Sequence, residues 1–294
     1  MEIALATPVV SLIPGAHAPW EVTAGPAELV EIARAADRLG FDYLTCSEHV
    51  AIAPAEQPAA GPRFYDPLAT FGFLAAHTSR IRFLTYAVGL GYHHPLEIAK
   101  RYGTLDVMTG GRLVLGLGLG ADRVEFDLLG MPFDGRGRRA DDALRVLRAA
   151  LGSAGPISYV GDHFAFGDVV VEPSGSRRPP LWIAGGSLTS LDRAITLGDG
   201  WMPSFHLAPD RVGRLLARFD RPAGFSVVLP VLPPVDPVGD PAGAVEVLTA
   251  RAGLGADVLV VLVEHTSLGH YLEQLDALRQ VVERAFGAPV GSRP

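Results

Sequence analysis

One cysteine, Cys46, and one lysine, Lys100, stand in a chain of 294 residues. A lone cysteine excludes an intrachain disulfide framework and fits a reducing compartment. CxxC pairs, a GxSxG elbow and a P-loop lysine are all missing, which sets aside thiol-redox, serine hydrolase and Walker-type kinase readings. His93 and His94 are adjacent and lack the spacing of paired metal ligands, so no metal is assigned. Charge is sparse at 19%, and the net charge of −7 argues against a general nucleic-acid or anionic-membrane surface. No apolar run approaches the ~18 residues of a membrane span. Near the N-terminus Ala16-His17-Ala18 mimics a signal cleavage site, yet Glu2 occupies the place of a basic n-region and Pro8 and Pro14 break the run. The expectation is a soluble, cytoplasmic protein.

What the chain does have is repetition of one pattern. Short apolar runs at 3–6, 41–46, 81–90, 112–119, 181–184, 201–203, 225–231 and 257–264 read as strands, and helical apolar spacing follows each. Eight such units with no composition break fit a single (β/α)8 TIM barrel over 1–294, a doubly wound open sheet being the alternative. Residues 157–171 read as a hairpin inserted around Gly161-Asp162. Residues 231–241, rich in proline, aspartate and glycine, read as an irregular insertion, a lid or a long loop. The tail after Gly287 is expected to fray.

In a barrel, ligands bind at the carboxyl ends of the strands. That rule gathers Thr7, Ser47 to His49, Tyr92 to His94, Gly118 to Glu125, Gly185 to Ser187, Trp201 to His206 and Glu264 to Thr266 at one end. The run from Arg112 to Leu119 interleaves aliphatic residues with Gly116 and Gly118, leaving room for something flat against the backbone. Gly116-x-Gly118-x-x-Ala121 formally fits a dinucleotide fingerprint, but no second strand follows it. Close packing without a ligand is the remaining reading. Gly185-Gly186-Ser187 sit between a strand and a helix, where free N–H groups can hold a phosphate and Ser187 can equally be a plain N-cap. His49 sits just past the end of the second strand, where an imidazole's unperturbed pKa near 6.5 suits proton transfer and a satisfied structural histidine is the other reading. Consecutive strand residues face opposite ways, so Glu48 and His49 are not expected to form a dyad.

These blocks resemble the bacterial luciferase-like superfamily, most closely its coenzyme F420-dependent branch. The resemblance is carried by 34–42 (RAADRLGFD), Ser47-Glu48-His49, His94-Pro95-Leu96, 105–112 (LDVMTGGR) with Gly116 to Gly120, Glu125-Phe126 with Arg136 to Arg139, 180–187 (PLWIAGGS), and Gly198 to Trp201. It implies a barrel that holds coenzyme F420, or alternatively FMN, at its strand ends. The implied activity is hydride transfer to or from a small organic substrate; the alternative is a flavin-dependent monooxygenase fed by a separate reductase. A homodimer is also implied. On this resemblance His49 is catalytic, and Ser47, Ala87, Val88, Gly116, Gly118, Gly185, Gly186, Ser187 and Trp201 contact the cofactor. A non-proline cis bond is expected at Ala87-Val88. Related deazaflavin dehydrogenases carry a tryptophan where Ala53 stands, which puts sugar-phosphate dehydrogenation in doubt. A binding protein without turnover is the third reading. Tyr65, Tyr92 and His206 are the candidate substrate contacts, and Glu125 with Arg136, Arg138 and Arg139 is expected to form an ion-pair network.

Overall fold

The computed structural model describes residues 1–287; the expected fraying after Gly287 lies outside them. In chain order the elements are β1 (Glu2–Leu5), α1 (Pro26–Leu39), β2 (Tyr43–Cys46), α2 (Gln57–Ala60), α3 (Pro67–Ala75), β3 (Arg82–Thr85), β4 (Val88–Gly89), α4 (Pro95–Thr109) and β5 (Leu113–Gly118). There follow α5 (Arg123–Leu128), α6 (Arg136–Ala150), β6 (Ile157–Val160), β7 (Ala165–Val169), β8 (Leu181–Ala184), α7 (Leu188–Leu197), β9 (Gly200–Met202), α8 (Pro209–Leu216), β10 (Ser226–Val235), α9 (Pro241–Ala252), β11 (Val258–Val263) and α10 (Leu268–Phe286).

All barrel pairings are parallel, and the sheet closes where β3 pairs β5 through Phe83 with Leu113 and Leu84 with Val114. β4 is the upper continuation of β3 and pairs the end of β5, so the barrel has eight staves. A cis peptide bond lies between the two segments at Tyr86-Ala87, one residue before the expected Ala87-Val88. β6 and β7 form the anticipated antiparallel hairpin outside the barrel. The 231–241 stretch is less irregular than its composition suggests. β10 runs on through Val235, which pairs Val263 beyond a register shift, and only the turn before α9 remains irregular.

Alternation along each strand sorts the core into two layers. Ile3 and Leu5 join the larger cluster between sheet and helices, whereas Ala4 belongs with Tyr43, Leu84, Val114, Trp182, Met202, Val228 and Val260 in the barrel interior. Tyr43 and Trp182 meet edge to face there at 5.5 Å. These bulky side chains plug the middle of the barrel. Toward the strand ends the inward positions shrink to Ala87, Gly118 and Ala184. The space opens there.

Candidate active site

A cavity of about 800 Å³ occupies that end of the barrel, within the range of small-molecule and cofactor sites. His49 lines it. The ring Nδ1 lies 2.9 Å from Glu125 Oε2, and the Glu125 side chain is completely buried. Glu125 Oε1 accepts the N–H groups of Val50 at 2.6 Å and Ala51 at 3.1 Å. Burial would raise the Glu125 pKa, but hydrogen bonds from His49, Tyr92 and Ala51 outweigh it and hold the carboxyl below its usual range. Glu125 is therefore an ionised acceptor, which fixes the His49 proton on Nδ1 and leaves Nε2 available to a reacting group. The imidazole is part-exposed and packs on Phe64 with centroids 4.5 Å apart.

This pairing replaces the ion-pair network anticipated for Glu125 and the arginines. Arg136 stacks 3.6 Å over the Phe133 ring and donates to the Gly120 carbonyl, Arg138 is exposed, and Arg139 lies over Phe164. Glu48, beyond the end of β2 like His49, is engaged elsewhere. It accepts from His93 at 2.9 Å and from the Gly89 N–H at 2.8 Å, pinning the β3–β4 irregularity.

Of the cofactor positions named from sequence, Ser47, Ala87, Val88, Gly118, Gly185 and Ser187 line the cavity. Three do not. A Cβ on Gly116 would stand 1.9 Å from the Thr85 carbonyl oxygen, so this glycine serves strand packing below the cavity. Gly186 is turned toward Ser204 and Leu207. Trp201 is wholly buried between sheet and helices, because its neighbour Met202 takes the inward position; its Nε1 donates to the Gly185 carbonyl at 2.7 Å and so shapes the turn from behind. Ser187 is a true N-cap for α7, accepting from Ser190 N–H at 3.1 Å while Ser190 Oγ accepts from Ser187 N–H at 2.9 Å. Thr189 and Arg136 line the same cavity beside it.

The candidate substrate contacts separate. Tyr92 lines this cavity, and His206 lines a smaller chamber of about 250 Å³. Tyr65 lines neither; its ring packs under Arg63. The two spaces share Ile13, Ser47, Tyr86 and Phe205, the last two meeting edge to face at 5.2 Å. Tyr86 carried no signal in the sequence, and Phe205 was gathered at this end only as part of the stretch Trp201 to His206. Their role comes from the inward turn that the chain takes after β3 and β9.

Residues 7–237 match the luciferase-like monooxygenase family. The chain belongs to that family. Among its similar proteins, 4-hydroxyprotoasukamycin monooxygenase of Streptomyces nodosus subsp. asukaensis is 33% identical over 55% of this chain and 42% of its own length. The F420-dependent hydroxymycolic acid dehydrogenase of Mycobacterium tuberculosis is 29% identical over 65% of this chain and 52% of its own. The match thus spans about half the length of either relative. A crystal structure of a monooxygenase from Streptomyces bottropensis superposes with a TM-score of 0.76 at 19% identity, covering 97% of this chain and 100% of that one, which shows the shared fold. This luciferase-like chain is accordingly an oxidoreductase of the superfamily, with F420-dependent and oxygenase relatives on either side of it.

Proposed function

We propose that this enzyme binds coenzyme F420 in the 800 Å³ cavity and catalyses hydride transfer between the cofactor's C5 and a small organic substrate. The observation that carries the reading is a histidine held by a buried carboxylate beside a floor of small residues. Gly118 has Ala87 Cβ and Ala184 Cβ at 3.7 and 3.9 Å from where its own Cβ would be. A flat ring system would lie over such a floor, and no side chain of the described residues fills the space. The F420 preference rests on the resemblance of 105–120 and 180–187 to that branch. When bound, the cofactor would supply the hydride chemistry. The protein's share is to orient the ring, exclude water and move a proton at His49 Nε2. Arg136, Thr189 and the first turn of α7 are the groups to meet an anionic tail. A homodimer in the cytoplasm goes with this reading.

The second reading, an FMN-dependent monooxygenase supplied with reduced flavin by a partner reductase, uses the same cavity and is supported by the oxygenase relative. Difference spectra and titration with each cofactor, together with oxygen uptake, separate the two. Binding of F420 at micromolar concentration without oxygen uptake is expected. His49→Ala is expected to lower turnover by about 10²–10⁴-fold with cofactor affinity retained. Glu125→Gln should keep the shape while losing the fixed proton on Nδ1, moving the pH profile of kcat/KM. Unchanged turnover in His49→Ala removes the catalytic assignment, and failure of both cofactors to bind favours a binding protein without turnover.

A further inference from the structure

Two loops at the strand ends, one after β1 and one before α3, are tied into a short ribbon. Ser11 pairs Phe64 in an antiparallel bridge. The Leu12 N–H donates to the Arg63 carbonyl at 3.0 Å, and the Tyr65 N–H donates to the Val10 carbonyl at 2.8 Å. Close approach is written into the sequence here, because a Cβ on Gly61 would stand 2.0 Å from the Leu12 carbonyl oxygen. Arg63 donates to the carbonyls of Glu21, Val22 and Ala24, which ties the ribbon to the segment before α1.

Extended backbone sends successive side chains to opposite faces. Arg63 and Tyr65 share one face, the guanidinium lying 5.6 Å from the Tyr65 ring centre, and Phe64 takes the other. Phe64 accordingly lines the larger cavity, which its two neighbours do not, and its ring meets the His49 imidazole at a centroid distance of 4.5 Å. Ile13, just past the ribbon, lines the same cavity and is 38% exposed. Neither residue belongs to the floor of Ala87, Gly118 and Ala184. Charge around the cavity is placed elsewhere. Besides His49, the charged side chains lining it are Glu48, Arg136 and Arg193. Glu48 is engaged by His93 and the Gly89 N–H, and Arg193 is 6% exposed and paired with Asp141. Arg136, with no carboxylate partner among the described residues, is turned to the Gly120 carbonyl. Against His49 the wall is Phe64, with Ile13 following along the chain, and neither can pair an ion. Burying a charge without a partner is costly.

We propose that Phe64, assisted by Ile13, is the specificity-determining wall of the reaction site. It admits substrates whose skeleton beside the reacting carbon is apolar and uncharged, and it rejects ions of either sign. This rests on the cofactor reading, which seats the ring on the small-residue floor and leaves the wall beside His49 to the substrate.

The test is calorimetric titration of the F420-loaded protein with 2-heptanol, heptanoate and heptylammonium, three probes of similar length and different charge. 2-Heptanol is expected to bind at millimolar concentration, about tenfold tighter than either ion. Phe64→Ser should weaken 2-heptanol about tenfold through the lost apolar contact, and Phe64→Leu should recover most of that loss. Phe64→Lys should reverse the order, so that heptanoate binds tighter than 2-heptanol. Ile13→Lys, at a partly exposed position, should show the same reversal if Phe64→Lys does not fold. Equal binding of the three probes, failure of 2-heptanol to bind, or an order that neither lysine variant changes overturns the proposal. If F420 does not bind, the cofactor reading fails separately, and the loss in Phe64→Ser with recovery in Phe64→Leu, read with 2-heptanol on the unloaded protein, still decides the wall.

Discussion

At the scale of single residues, two glycines on one strand show that the same residue type serves two ends. Gly116 and Gly118 both face inward from β5. A methyl on Gly116 would press on the Thr85 carbonyl oxygen at 1.9 Å and on Met202 Cε at 2.6 Å, and backbone oxygen cannot move aside cheaply. On Gly118 the same methyl meets only ordinary contacts. Gly116→Ala is therefore expected to destabilise the fold by about 1–3 kcal/mol, the usual cost of overpacking. Gly118→Ala should be close to neutral in stability, while Gly118→Leu should leave the protein folded and abolish cofactor binding by filling the floor. Denaturant unfolding and cofactor titration on the three variants check this. Equal destabilisation by both alanines would remove the distinction.

At the scale of elements, the irregularity between β3 and β4 is held from one side by Glu48, which receives both the His93 imidazole and the Gly89 N–H. Burial alone would lower the His93 pKa; the hydrogen bond and charge of Glu48, with Glu97 adding to them and Arg101 opposing, raise it above its ordinary value. A raised histidine contributes stability that is complete below the unfolded pKa of about 6.5 and is lost as pH rises through the higher folded value. The melting temperature should thus fall as pH climbs above about 6.5, and Glu48→Gln should flatten that slope. Identical slopes in thermal melts of the two proteins would refute the assignment. The strands themselves were legible because alternation and turn chemistry are local. The break after Thr85 was legible only through the family resemblance, and one residue off, since nothing near it in the chain announces that Glu48 would reach across to Gly89. The same reason hid the partner of His49: Glu125 lies 76 positions away and reads as part of a helix with arginines, until closure of the barrel brings its carboxylate under the imidazole. Trp201 misled for the opposite cause, a single-residue phase in β9 that sends Met202 inward and the indole outward.

At the scale of the whole molecule, the larger cavity is a meeting point of strand ends that come from both sides of the barrel's closure. Ala87 and Val88 belong to the broken third stave, Gly118 to β5, Ala184 and Gly185 to the end of β8, and Met202 to β9. A molecule seated there touches segments more than a hundred residues apart, so it can bind only when the barrel is formed. Binding to the folded state alone stabilises by mass action, about 2.7 kcal/mol when the free ligand is at 100 times its Kd. For a chain of this size that corresponds to a rise of roughly 5–10 °C in melting temperature. The shift should appear with coenzyme F420 and should be lost in Gly118→Leu, while Ala6→Phe, which fills only the inner chamber, should retain it. A shift with reduced FMN under anaerobic conditions and none with F420 would transfer the assignment to the monooxygenase reading, because the same floor would then be shown to prefer the flavin.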